Sequence, residues 1–121
     1  YQMKSSQWAM GKNFDATGSI GSDFVTADEL PAGAKGLSMQ CRVNGKVLQD
    51  SNTREMIFDT KTLVHELAKV FTLLPGDMIL TGTPAGVGFV RKPPIYLKAG
   101  DTCEIEIEKI GVLSNPVKNE K

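Results

Sequence analysis

Hydrophobic and polar positions alternate most cleanly from Leu37 to Val43. Leu37, Met39, Cys41 and Val43 fall on one side, and Ser38, Gln40 and Arg42 on the other. That period of two predicts a half-buried strand. Asn44-Gly45 follows at once, and a type I′ turn needs positive φ at both central residues, so a hairpin is expected with Lys46 to Gln49 as its return strand. From Asp59 to Leu73 the period changes. Leu63, Val64, Leu67, Val70 and Phe71 make one apolar stripe, which predicts a helix with Asp59 as N-cap, stopped by Pro75-Gly76-Asp77. Met78 to Thr81 reads as a short buried strand that breaks into the loop Thr81-Gly82-Thr83-Pro84-Ala85-Gly86-Val87-Gly88. Cys103, Ile105 and Ile107 alternate with Glu104, Glu106 and Glu108, and Ile110 to Leu113 forms a further short segment after a bulge at Gly111. Gly11 to Phe24 and Asp28 to Gly36 have loop chemistry, and Arg91 to Pro94 is expected to be exposed. Met3, Trp8 and Met10 anchor an N-terminal segment of undecided conformation, and Trp8 and the five Phe read as core. The sum is mainly β with one helix, an α+β chain.

Composition narrows the class. The 121 residues amount to one domain at most, with 14 Lys plus Arg against 14 Asp plus Glu. A neutral chain lacks the basic excess that binds nucleic acid or anionic membrane. No apolar run reaches the roughly 18 residues of a membrane span. Cys41 and Cys103 alternate within strand patterns, so buried free thiols are expected rather than a disulfide framework. The chain opens on Tyr1 and reads from there as mid-protein sequence, so a piece of a longer polypeptide is expected.

Two places could carry chemistry. In the Thr81–Gly88 loop, glycines leave backbone N–H groups accessible, and with a Thr hydroxyl they can cradle an anion; the alternative is a tight structural turn. Lys12 lies in a loop-rich stretch and could neutralise a carboxylate or a developing enolate; the alternative is a solvated lysine. Glu104, Glu106 and Glu108 could hold a hard cation, but such a row is more often the wet face of a sheet, paired with cations on a neighbouring strand. His65 has no ligand-spaced partner, and no Gly-x-Ser-x-Gly elbow occurs.

Taken together, Gly11-Lys12-Asn13-Phe14-Asp15, Ile20-Gly21, Val43-Asn44-Gly45 through Gln49, Asn52-Thr53 with Met56-Ile57-Phe58, Pro75-Gly76-Asp77 through Gly88, and Leu97 through Asp101 resemble the C-terminal half of the fumarylacetoacetate hydrolase family. The resemblance implies a mixed β-sandwich roll, with residues 1–121 as the C-terminal part of one catalytic domain. It also implies a homodimer with Mg²⁺ or Mn²⁺, and a small 2-oxo or β-diketo acid substrate. The implied reactions are C–C hydrolysis, oxaloacetate decarboxylation or keto–enol tautomerisation through a stabilised enolate, in a mitochondrial or cytoplasmic location. It assigns Lys12 as the catalytic charge partner, Thr81 as a substrate contact, and Gly82 and Thr83 as residues shaping the pocket. The family's metal ligands, a Glu-x-Glu pair and an Asp, fall upstream of the point matching Tyr1, which leaves no metal ligand in this chain. Asn13 stands where Ser is usual, and Ser19 and Ser22 where prolines are usual. The alternative is a non-catalytic β-roll that binds or assembles, or an inactive fragment.

Overall fold

The computed structural model describes residue 4 and residues 6–120. Met3 lies outside the described residues. Four strands, β1 (Ser38–Val43), β2 (Lys46–Asn52), β3 (Thr102–Ile107) and β4 (Gly111–Pro116), form one antiparallel sheet in the order β2-β1-β3-β4. Two α-helices accompany it, the single turn α1 (Ala9–Lys12) and α2 (Thr60–Ala68). This is the mainly β, α+β architecture that the sequence pattern implies.

The β1–β2 hairpin forms as the Asn-Gly signal requires, with φ of 50° at Asn44 and 77° at Gly45. Its tip is locked to the turn that enters β3, the strand beside β1. Asn44 Nδ2 donates to Asp101 Oδ1 at 2.9 Å, and Thr102 N donates back to Asn44 Oδ1 at 2.9 Å. Lys98 N donates to Asp101 Oδ2 at 3.0 Å, so the Asp101 carboxylate, only 7% exposed, joins two turns. The return strand runs to Asn52, three residues past the expected Gln49, because Asn52 and Thr53 continue into a second knot. There Thr53 Oγ1 accepts from Leu37 N at 3.0 Å and donates to Ala34 O at 2.6 Å. Leu37, at the centre of this knot, is 2% exposed.

The sheet's two faces differ in chemistry. Cross-strand partners share a face, so Met39, Cys41, Val43, Cys103, Ile105, Ile107 and Leu113 lie together. The other face carries Arg42 between Glu104 (Nε to Oε2, 3.5 Å) and Glu106 (Nη1 to Oε2, 2.6 Å). Glu108 accepts from Ser38 N and Oγ, both at 3.0 Å. The glutamate row is therefore a paired, wet sheet face. Cys41 and Cys103 are free thiols, half-buried rather than buried, with sulfurs 3.9 Å apart. Desolvation, with Cys103 beside it, pushes the Cys41 thiol up to about 11, which keeps it protonated at neutral pH.

Several expectations are corrected. Helix α2 starts at the Asp59 cap, whose carboxylate accepts from Thr62 N at 2.8 Å, but it ends at Ala68 rather than Leu73. Past it, β-branched and aromatic Val70, Phe71 and Thr72 have weak helix propensity, and Val70 and Phe71 are exposed. Met78–Thr81 is not a buried strand. No strand of the sheet pairs with it, and Leu80 is 89% exposed. The register shift lies between Cys41 and Arg42, opposite an extra residue in β2 at Leu48, and not at Gly111, which pairs regularly with Ile107. Trp8 and all five Phe are exposed rather than core, because one sheet and a nine-residue helix cannot cover them.

The carboxylates that tie turns together set the acid response. Asp101 is held below its ordinary 3.8 by Asn44 and the Lys98 N–H, and Glu108 below its ordinary 4.5 by the Ser38 N–H and hydroxyl. A depressed folded-state pKa means that the unfolded chain binds protons first as pH falls. Their stabilisation is therefore complete above about pH 4.5 and is lost as pH drops through the lowered folded values. Thermal melts followed by circular dichroism should show a midpoint insensitive to these groups from pH 7 to 5 and falling below pH 4.5. Asp101→Asn should melt lower at neutral pH and show a shallower acid slope.

Candidate active site

The Thr81–Gly88 loop belongs to no strand, so its backbone groups must find partners elsewhere. At Gly88 they are backbone groups, with Ile95 N donating to Gly88 O at 3.0 Å, and before it two side chains supply them. Gln49 of β2 donates from Nε2 to Thr83 Oγ1 at 2.9 Å, Pro84 O at 2.8 Å and Ala85 O at 3.3 Å. Arg91 donates from Nε to Gly86 O at 3.0 Å and from Nη2 to Leu48 O. Leu48 is the bulge residue, and a bulge leaves one residue out of ladder pairing. Arg91 thus joins the loop to the bulge carbonyl. It is half-buried, which corrects the expectation that the whole Arg91–Pro94 stretch is exposed; Lys92, Pro93 and Pro94 are.

Gly86 sits where the loop meets the bulge, with φ of 101°; a Cβ there would lie 2.6 Å from Leu48 O and 3.2 Å from Gln49 Cγ. Only glycine lets the loop approach the bulge this closely. With its interior edge tied to β2, the loop leaves Thr81, Gly82 and Thr83 exposed.

Lys12 ends α1, exposed, with no hydrogen bond to the loop among the described residues. Asn13 Nδ2 donates to Ala9 O at 2.6 Å and closes the turn that presents Lys12. The structure thus joins Thr81, Gly82 and Thr83 in one anchored loop and holds Lys12 on a separate element. Two shallow cavities lie elsewhere. One, of about 190 Å³, is lined by Ser38, Met39, Gln40 and Glu106; the other, of about 200 Å³, lies between Gly33, Lys35 and the start of α2. His65 is exposed on α2.

Residue pattern alone passed over Gln49 and Arg91. A polar side chain at an inward-facing strand position is the signal that could have found Gln49, since such a group needs a partner. Among the described residues, no three His, Cys, Asp or Glu side chains converge on a metal position. Glu104 and Glu106 are engaged by Arg42. The described residues do not, by themselves, build a site for a hard divalent ion.

Comparison with known proteins agrees with this architecture. Residues 1–118 match the family described as the fumarylacetoacetate hydrolase C-terminal domain, and the chain belongs to that family. Its relatives include proteins of the fumarylacetoacetate hydrolase domain-containing protein 2 branch. The chain is 48% identical over 119 residues to a mitochondrial oxaloacetate tautomerase of Xenopus laevis, covering 97% of this chain and 37% of that protein. It is 49% identical over 122 residues to the fumarylacetoacetate hydrolase domain-containing protein 2 homolog of Dictyostelium discoideum, covering 94% and 40%. Among solved structures, the fumarylacetoacetate hydrolase of Exiguobacterium antarcticum superposes with a TM-score of 0.92 at 39% identity, covering 98% of this chain and 42% of that one. The chain thus spans less than half the length of these relatives.

The loop's dependence on a close glycine gives a direct test. Gly86→Ala should cost on the order of 1–3 kcal/mol in urea denaturation, from overpacking against the bulge and strain at positive φ. Gly18→Ala, where a Cβ meets nothing within 4 Å, should stay within about 0.5 kcal/mol.

Proposed function

We propose that this chain forms part of an enzyme acting on small 2-oxo or β-diketo acids, with keto–enol tautomerisation of oxaloacetate as the leading reaction. The observation that carries this reading is the 47–50% identity to oxaloacetate tautomerases over nearly the whole chain. The anchored Thr81–Gly88 loop supports it, because Thr81, Gly82 and Thr83 stand exposed on its free edge, where hydroxyl and backbone N–H groups suit an anion.

In this reading Lys12 pairs with the substrate carboxylate or with the enolate oxygen as negative charge gathers there. An ammonium placed at that oxygen favours the charged transition state over the neutral ketone, which accelerates proton exchange at the adjacent carbon. Thr81 donates its hydroxyl to the opposite end of the substrate, and Gly82 and Thr83 shape the pocket around it. Mg²⁺ or Mn²⁺ in the full polypeptide would be held by residues other than those described. This chain's own contribution is charge and hydrogen bonding. A homodimer is the assembly this reading implies. Relatives named mitochondrial support a mitochondrial location over a cytoplasmic one.

The test is Lys12→Met in the full polypeptide, assayed with oxaloacetate by enol absorbance in the presence of Mg²⁺ or Mn²⁺. Turnover should fall roughly 10²- to 10³-fold with an unchanged circular dichroism spectrum. A wild-type rate in the variant would contradict the role given to Lys12.

A further inference from the structure

The Gln49 carboxamide does more than fill a strand position. Its Nε2 carries two protons and meets three acceptors. Two of those, Pro84 O and Ala85 O, can only accept, which fixes the nitrogen toward the loop and the amide oxygen away from it. The third, Thr83 Oγ1, must then use a lone pair toward Gln49. Its own proton is donated to no group among the described residues, and the hydroxyl is exposed. Because the bulge at Leu48 lies next to Gln49, the residue that takes Arg91 at its carbonyl and the residue that holds Thr83 are adjacent in the chain.

We infer that Gln49 is the positioning residue of this loop, and that it turns the Thr83 hydroxyl proton outward. Held by the amide N–H, Thr83 cannot spend its proton on Gln49 and has it to present outward, matched to a carboxylate or enolate oxygen. Gln49 itself touches no substrate. The inference rests on the proposed function for the loop's ligand class, but the orientation of Thr83 and the order of the loop are properties of the chain itself.

Two variants test it in the full polypeptide. Gln49→Glu keeps the shape and, once ionised, has no proton to donate; Thr83 would turn its hydrogen inward, and two carbonyl oxygens would face a carboxylate. Its kcat/KM for oxaloacetate at pH 8 should fall roughly 10²-fold, the scale of a misplaced site. Relative to wild type at each pH, it should recover as pH falls and the protonated carboxyl regains a donor. Gln49→Leu should show a similar loss with no recovery. A purely structural role would not produce that pH-dependent split. In parallel, amide hydrogen exchange over residues 82–88 should quicken in both variants at pH 8, with β1 and β3 unchanged. Unchanged exchange in both variants, or Gln49→Glu activity that tracks wild type at every pH, would overturn the inference. An inactive wild type whose loop exchange still depends on Gln49 would overturn the proposed reaction and uphold the positioning role. If Gln49→Leu fails to fold, the comparison of Gln49→Glu with wild type across pH decides alone.

Discussion

A loop that belongs to no strand must find partners for its polar groups off the ladder, and in this chain two side chains supply most of them from one place. The extra residue Leu48 interrupts the β1–β2 ladder, Arg91 takes its carbonyl together with that of Gly86, and Gln49 beside it holds Thr83, Pro84 and Ala85. Each bond answers a backbone or hydroxyl group with no sheet partner, and leaving such a group unpaired away from water costs more than the bond itself contributes. Glycine at 86 is the steric condition for this arrangement. The glycine-rich sequence is therefore not simply a flexible turn. It is a loop bound along one edge and free along the other, which suits the reception of an anion.

The sheet provides the platform, and its fastening is polar more than apolar. Asn44 and Asp101 join the hairpin tip to the turn before β3, and Thr53 joins the start of β1 to the preceding connector. Leu37 is the one fully buried hydrophobic residue among those described. Most large apolar side chains stand in solvent, which fits a chain spanning 37–40% of the relatives it matches. With so few buried contacts, α1 and the loops belong to the low-stability end of the structure, where binding elements are commonly found.

Much of this was legible in the sequence, for identifiable reasons. Asn44-Gly45 specifies its turn by backbone sterics alone, and Asp59 caps α2 by a local hydrogen bond, so neither needed tertiary knowledge. The Pro75–Gly88 block carried the family. What failed depended on distant partners. Met78–Thr81 has strand-like composition but no neighbouring strand, and Val70 and Phe71 continue a helical stripe that nothing packs against. Phe14, Phe24, Phe58, Phe71 and Phe89 read as core because composition cannot say what covers them. Arg91 looked solvated until the bulge gave it a carbonyl. Gln49 gained meaning only once the register placed it opposite Cys41 on the apolar face.

The central claim is that Lys12, on α1, and the Gln49-anchored loop serve one anionic ligand. The most direct measurement is a crystal structure of the full polypeptide with oxalate, a planar mimic of the enolate, bound in the presence of Mg²⁺. Lys12 Nζ and Thr81 Oγ1 should both lie within hydrogen-bond distance, about 3.2 Å or less, of the same oxalate. Oxalate bound in the site with the Lys12 ammonium and the Thr81 hydroxyl facing separate surfaces would contradict it.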